Sequence, residues 1–185
     1  MDDYDAIVYD LDGTLVRLDV DWGAVTQEAV TVYREAGVDP PTGDLWTLLD
    51  DAEAHGVGEA VAGLVCRRER EGARRSERLF LADDLRERAG DGVPVGVCSL
   101  NCEDAVRIAL SEHELAGSVT EEAIVGRDTL ATRKPDPEPL RSTCRALQVD
   151  PGRTLFVGDS PRDEQTAERA GAGFVYVSEL EGTLP

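Results

Sequence analysis

Lysine is almost absent from this chain: of 19 basic residues, every one except Lys134 is arginine. An ammonium is a compact point charge and a guanidinium a planar fork, so a position that keeps the ammonium against that bias is a candidate for a site that needs it. A surface lysine surviving by chance is the plain alternative. Cysteine is scarce and poorly spaced for metals. Cys66, Cys98, Cys102 and Cys144 form no C-x-x-C pair, and His55 and His113 lie far apart, so no zinc spacing appears. Reduced, mostly buried thiols are expected. Long apolar runs are missing too: nothing approaches the roughly 20 residues of a membrane helix. The chain opens Met-Asp-Asp, with no basic segment or apolar leader before the first strand-like run, and a cytoplasmic protein is expected.

Positive charge is in short supply. The 38 Asp and Glu outnumber the basic residues two to one and leave a net charge of -19. That balance argues against binding nucleic acid through its phosphates and against anionic membranes. The acids are scattered along the chain, as on a solvated surface. Two explanations stand level: adaptation to high salt, where screening removes self-repulsion, and an ordinary acidic surface. What is present suffices for a core. A hydrophobic fraction of 41% over 185 residues fits one domain, or one domain carrying an insertion.

The organising stretch is Ile7-Val8-Tyr9-Asp10-Leu11-Asp12-Gly13-Thr14. A short apolar run, right for a buried strand, stops at a carboxylate, and a second carboxylate follows before a Gly-Thr turn. Two close carboxylates at a strand's end suit a hard divalent cation, or a nucleophile beside an acid/base. A strand edge running into an Asp-Gly turn is the bland alternative.

Beyond Thr14 the pattern turns helical. Val16 to Asp21 reads as a connector. Trp22, Val25, Ala29, Val32, Tyr33 and Ala36 recur at helical spacing, and Gly37 stops that helix. Thr42 is placed to cap a second helix running to about His55, and Glu59 to Glu71 reads as a third. Leu79 to Gly90 reads as a fourth. So much helix before the next strand exceeds a simple crossover. Strands follow at Val93–Cys98, Ala123–Val125, Thr154–Val157 and Gly173–Val177, alternating with helices. Asn101 is placed to cap the helix after the second strand, and Ser160, Pro161 and Asp163 read as the start of another. The expected fold is α/β: a Rossmann-like parallel five-stranded sheet with helices on both faces, and a small all-helical cap inserted after the first strand. Residues 1–16 and 80–185 would form the α/β core and 17–79 the cap.

In a parallel sheet every strand's carboxyl end lies on one edge. That places Asp10 with Asp12, Ser99 and Asp159 together, and Lys134 opens a loop before a helix. Aspartates, a hydroxyl, an ammonium and a helix start suit a metal ion and a phosphoryl group. In this order, Asp-Leu-Asp-Gly-Thr at 10–14, Ser99, Lys134 within Arg-Lys-Pro-Asp-Pro and Gly-Asp-Ser-Pro-Arg-Asp at 158–163 resemble the haloacid dehalogenase superfamily, in the branch similar to phosphoglycolate phosphatases. The resemblance spans nearly the whole chain. It implies a phosphatase acting on a small phosphorylated metabolite, a phosphoglycolate-like phosphomonoester. Asp10 would attack phosphorus and carry the phosphoryl group, with Asp12 as acid and then base. Mg2+ would be held by Asp10, the Asp12 carbonyl and Asp159. Ser99 and Lys134 would bind the phosphoryl group, and Asp163 would support the metal's water shell or Lys134. Plainer roles stand beside these: Ser99 finishing a strand, Asp163 as a helix-start acid, and Asn101 as a cap first and a substrate contact second.

Related reactions separate on single residues. The resemblance implies that dehalogenases lack an acid/base at the position of Asp12, and phosphonoacetaldehyde hydrolysis needs a second lysine that this chain does not have. A phosphotransferase similar to β-phosphoglucomutase stays open, as does a non-enzymatic binding protein with a silent site. The arginine-rich run from Arg67 to Arg78 is read as a solvated face laced with ion pairs, ahead of the alternative that one arginine faces Asp10. The oligomer is left between monomer and homodimer.

Overall fold

The computed structural model describes residues 4–181. Five parallel strands run in the order β5-β4-β1-β6-β7: β1 (Ala6–Tyr9), β4 (Val95–Cys98), β5 (Ile124–Val125), β6 (Thr154–Gly158) and β7 (Gly173–Tyr176). β1 is central, and Tyr9 is level with Val97 on one side and Val157 on the other. Successive β1 residues serve opposite faces. Ile7 and Tyr9 enter the apolar cluster beneath α4 (Leu81–Gly90) and α5 (Glu103–Glu112). Ala6 and Val8 enter the one beneath α6 (Glu138–Leu147) and α7 (Pro161–Ala170). The chain steps from β1 to β4 and β5, then returns across β1 to β6. Such a reversal opens a crevice at the carboxyl ends of the central strands. A final short helix, α8, covers Val177–Leu180.

Helices α1 (Trp22–Glu35), α2 (Leu45–Asp51) and α3 (Gly58–Ala73) form a lobe around their own apolar cluster, with Val25, Tyr33, Leu48 and Val61 at its centre. Tyr33 is fully buried there, and its hydroxyl donates to the Leu48 carbonyl at 2.6 Å. Among the described residues, no helix is long and apolar enough to cross a membrane.

Several sequence expectations are corrected. The connector at Val16–Arg17 is a strand, β2, paired antiparallel with β3 (Glu77–Arg78); this ribbon leads the chain out to the helical lobe and back. Thr42 does not cap α2. Asp44 does, accepting from Thr47 N at 3.0 Å and Thr47 Oγ1 at 2.9 Å. The strand expected from Val93 begins at Val95, since Pro94 has no N–H to give the ladder. Ala123 ends a 3-10 turn and stands outside β5, and Val177 begins α8 after β7 ends.

The expectation of four reduced thiols also fails. Cys66 of α3 and Cys102, just before α5, form a disulfide with Cα atoms 5.5 Å apart, while Cys98 and Cys144 are free and buried. The pair lies 36 residues apart in sequence, so no local spacing announces it. Only the packing of α3 on the start of α5 does.

Candidate active site

The shared register of β1, β4 and β6 brings three strand ends to one rim. Asp10 N donates to the Val157 carbonyl at 2.9 Å and Ser99 N to that of Val125 at 2.9 Å, so both residues continue the ladder before leaving it. Lys134 reaches this rim from the loop between β5 and α6. Its Nζ donates to Asp10 Oδ1 at 2.8 Å, Asp163 Oδ1 at 2.5 Å and the Cys98 carbonyl at 3.1 Å. Asp163 Oδ2 in turn accepts from Ser160 Oγ at 2.6 Å and Ser160 N at 3.1 Å, which closes the capping box that starts α7. Gly158 permits that approach, because a Cβ there would collide with the Asp163 side chain.

Asp10, Lys134 and Asp163 are all buried. Burial disfavours each charge, and the ion pairs oppose it. Burial by itself would lower the Lys134 pKa, but Asp10 and Asp163 outweigh it and hold the ammonium charged. For Asp10, burial pushes the pKa up, Lys134 pulls it down, and Asp163 and Asp159 push it up again. One ammonium among these carboxylates leaves the rim with surplus negative charge.

Asp12 stands beside this cluster. Its Oδ1 accepts from Leu18 N at 2.8 Å. Burial, reinforced by Asp159 and Glu69 and opposed by the Leu18 bond, pushes its pKa up to about 6. Gly13, at φ 85°, packs against the Asp159 carboxylate so closely that any side chain there would strike it. Asp10, Asp159 and Asp163 each offer an oxygen within 4.8 Å of the others. An all-oxygen, net-negative set of this kind fits a hard divalent cation. Asp163 has both oxygens already taken, by Lys134 and Ser160.

Ser99 and Asn101 form a turn of their own. Ser99 Oγ donates to Asn101 Oδ1 at 3.0 Å and accepts from Asn101 N at 3.2 Å. Asn101 does not cap α5, as the sequence suggested. Remote side chains do that work: Glu69 accepts from Cys102 N at 3.0 Å and Asp128 from Glu103 N at 2.8 Å. Glu69 is fully buried on α3 and held by both Nη atoms of Arg127, at 2.6 and 3.0 Å. Asn101 Nδ2 adds a longer bond to it, 3.4 Å. Sequence reading missed both Glu69 and Arg127. A signal existed: Glu69 is four residues after Val65 and eight after Val61, on the apolar stripe of its helix.

A cavity of about 440 Å³ opens over the rim. Asp10, Asp12, Ser99, Asn101 and Asp159 line it, along with residues of α1 and α2. None of the arginines from Arg67 to Arg78 does. Arg68 pairs with Glu28 and Glu71, Arg70 with Asp104, Arg75 with Asp19 and Arg78 with Asp83. Four of the six arginines in that run are thus ion-paired, with only the Arg68–Glu71 pair joining neighbouring turns of α3. The guanidinium that does line the cavity belongs to Arg162, at the start of α7.

Comparison with known proteins converges on one kind of molecule. A profile for haloacid dehalogenase-like hydrolases matches residues 83–177. The phosphoglycolate phosphatase of Cereibacter sphaeroides is 33% identical, across 94% of this chain and 84% of its own length. That of Rhodospirillum rubrum is 43% identical over 49% of this chain, a match spanning only 36% of the relative. Among solved structures, a haloacid dehalogenase family hydrolase from Deinococcus radiodurans with bound phosphate and sodium superposes with a TM-score of 0.62. It is 20% identical, over 94% of this chain and 80% of that one, and shows the same fold.

Proposed function

The chain belongs to the haloacid dehalogenase-like hydrolases and is a phosphoric monoester hydrolase; from that premise we propose that it is a Mg2+-dependent phosphatase of a small phosphorylated metabolite, working through a phosphoryl group carried on Asp10. One observation carries the reading. The Asp10 carboxylate lines the cavity while Lys134 holds its Oδ1 from behind.

Asp10 attacks phosphorus as the bond to the leaving oxygen breaks, and Asp12 gives that oxygen its proton. A pKa near 6 keeps a useful fraction of Asp12 protonated close to neutral pH. Water then attacks the acyl phosphate, Asp12 takes its proton, and phosphate leaves with Asp10 restored. Lys134 offsets the repulsion between a carboxylate and an anionic ester, and Ser99 and Asn101 hold the phosphoryl oxygens. Asp163 positions Lys134. Asp10, Asp159 and the Asp12 main-chain carbonyl would hold Mg2+, which supplies further charge screening at the phosphoryl group. The helices α1–α3 act as a cap that shields the reaction from bulk water.

The test is direct. Incubation with an aryl phosphate and Mg2+, quenched in acid, should trap phosphorylated protein, and Asp10→Asn should abolish both the trapped label and turnover. Hydrolysis that survives Asp10→Asn, or that is indifferent to EDTA, would overturn the reading.

A further inference from the structure

Both tryptophans of this chain line the cavity over Asp10. Its volume of about 440 Å³ lies in the range that encloses most of a small organic ligand and far exceeds what a two-carbon acid needs. The phosphoryl-handling groups line one part of it. Trp22, Leu45, Trp46 and Leu100 supply the apolar lining, beside Gly23, Thr26, Asp44, Ser160 and Arg162.

Charge along the apolar part decides what fits there. Arg162 is the one cation among the described lining residues. Its guanidinium lies 5.5 Å from the centroid of the Trp46 ring and 3.7 Å from the Asp44 carboxylate. That positive charge is already shared between a π face and an acid. A leaving group with its own carboxylate would press against two indoles and two leucines, find no unengaged cation, and face Asp12 and Asp44. Its desolvation would go uncompensated. An uncharged ring meets the opposite conditions. It gains contact with indole faces and brings no charge to set against Asp12 and Asp44.

Resting on the phosphatase reading above, we propose that the substrate is the phosphomonoester of an uncharged, ring-bearing alcohol seated against Trp22 and Trp46, rather than phosphoglycolate, whose two-carbon leaving group carries a carboxylate. Trp46 and Arg162 are then specificity residues.

Benzyl phosphate and phosphoglycolate test this as a pair. Both are esters of primary alcohols, so a difference between them reports the shape and charge of the leaving group. With Mg2+, the kcat/KM for benzyl phosphate should exceed that for phosphoglycolate about tenfold or more. Trp46→Ala should lower the benzyl value about tenfold, mainly through KM, and move the phosphoglycolate value by less than about twofold. Independently of turnover, the two tryptophans report occupancy. In Asp10→Asn, benzyl phosphate should saturate a change in indole emission at about a tenth of the phosphoglycolate concentration. That titration decides alone if Trp46→Ala fails to fold. Phosphoglycolate turned over equally or better, or a Trp46→Ala loss equal for both esters, would overturn the substrate class and leave the phosphatase reading standing. Hydrolysis of neither ester by the wild type would bring down both.

Discussion

Two buried ionic clusters flank the turn from Ser99 to Asn101, and they are built to opposite rules. On one side, Lys134 bonds Asp10, Asp163 and the Cys98 carbonyl, in a neighbourhood that also holds Asp159 and Asp12. Negative charge is in excess there, and the Asp10 and Asp159 carboxylates also line an open cavity. On the other side, Glu69 and Arg127 balance each other. Glu69 Oε1 accepts from Arg127 and Asn101, and Oε2 from Arg127 and Cys102 N. Both Glu69 oxygens are thus doubly engaged within the protein. A saturated buried pair fixes geometry, and an unsaturated one invites a cation and an anion from solution. The contrast separates the residues proposed as catalytic from the positioning ones without reference to any relative.

The sharpest way to break it is Lys134→Met. Two buried carboxylates would then face each other without their shared donor. Turnover should fall at least about 10³-fold, and stability should drop by about 3–5 kcal/mol. Adding Asp163→Asn should return much of the stability and none of the activity, because the lost charge screening at Asp10 is not replaced. Kinetics and denaturant melts on the two variants check this. Recovery of activity along with stability would mean that Lys134 serves only the fold.

Glu69→Gln should show the reverse weighting. It leaves the Arg127 guanidinium buried with only neutral partners, the new amide and the Leu100 carbonyl at 2.8 Å, at a cost of about 3–5 kcal/mol. Turnover of the fraction still folded should fall only about tenfold, through a looser Ser99–Asn101 turn. Replacing the pair together, as Glu69→Gln with Arg127→Met, should recover part of the stability. A Glu69→Gln protein with normal melting and no activity would erase the distinction between the clusters.

The two clusters also differ in how far the sequence reveals them. Strand ends converge by topology, so Asp10, Ser99 and Asp159 fall on one rim once a parallel sheet is inferred, and the missing lysines point to Lys134. The second cluster depends on which helix of the lobe packs on which helix of the sheet. No period or motif encodes that docking. The Cys66–Cys102 bond and the Glu69 bond to Cys102 N follow from it, whereas Asp128 reaches Glu103 N from the loop after β5 and Arg162 enters the cavity from the start of α7. Glu69 on an apolar helical stripe was the one local sign.

The disulfide tightens the same seam and gives a smaller effect. It joins α3 to the start of α5 across 36 residues, one helical turn before Glu69. By loop closure it should contribute about 2–4 kcal/mol. Reductant should lower the wild-type melting temperature, while Cys66→Ser should melt at the reduced value with or without it. Wild-type melting that ignores reductant would show that the Glu69–Arg127 pair holds this seam alone.

The weakest expected effect lies one residue away. Arg68 precedes Glu69 in the same charged run, yet it points to the other side of α3. Its partners are Glu28 and Glu71, at 2.8 and 3.0 Å, with all three side chains at least 37% exposed. Water and salt screen such pairs, and ordering long side chains consumes much of the gain. Arg68→Ala should shift the melting temperature by no more than about 2 °C, less still in high salt, and leave KM unchanged. Residues 68 and 69 thus form an internal control with the same helix, the same run and opposite burial. Equal costs for the two substitutions would show that burial is not what separates a structural charge from a solvated one here, and the comparison of the two clusters would lose its basis.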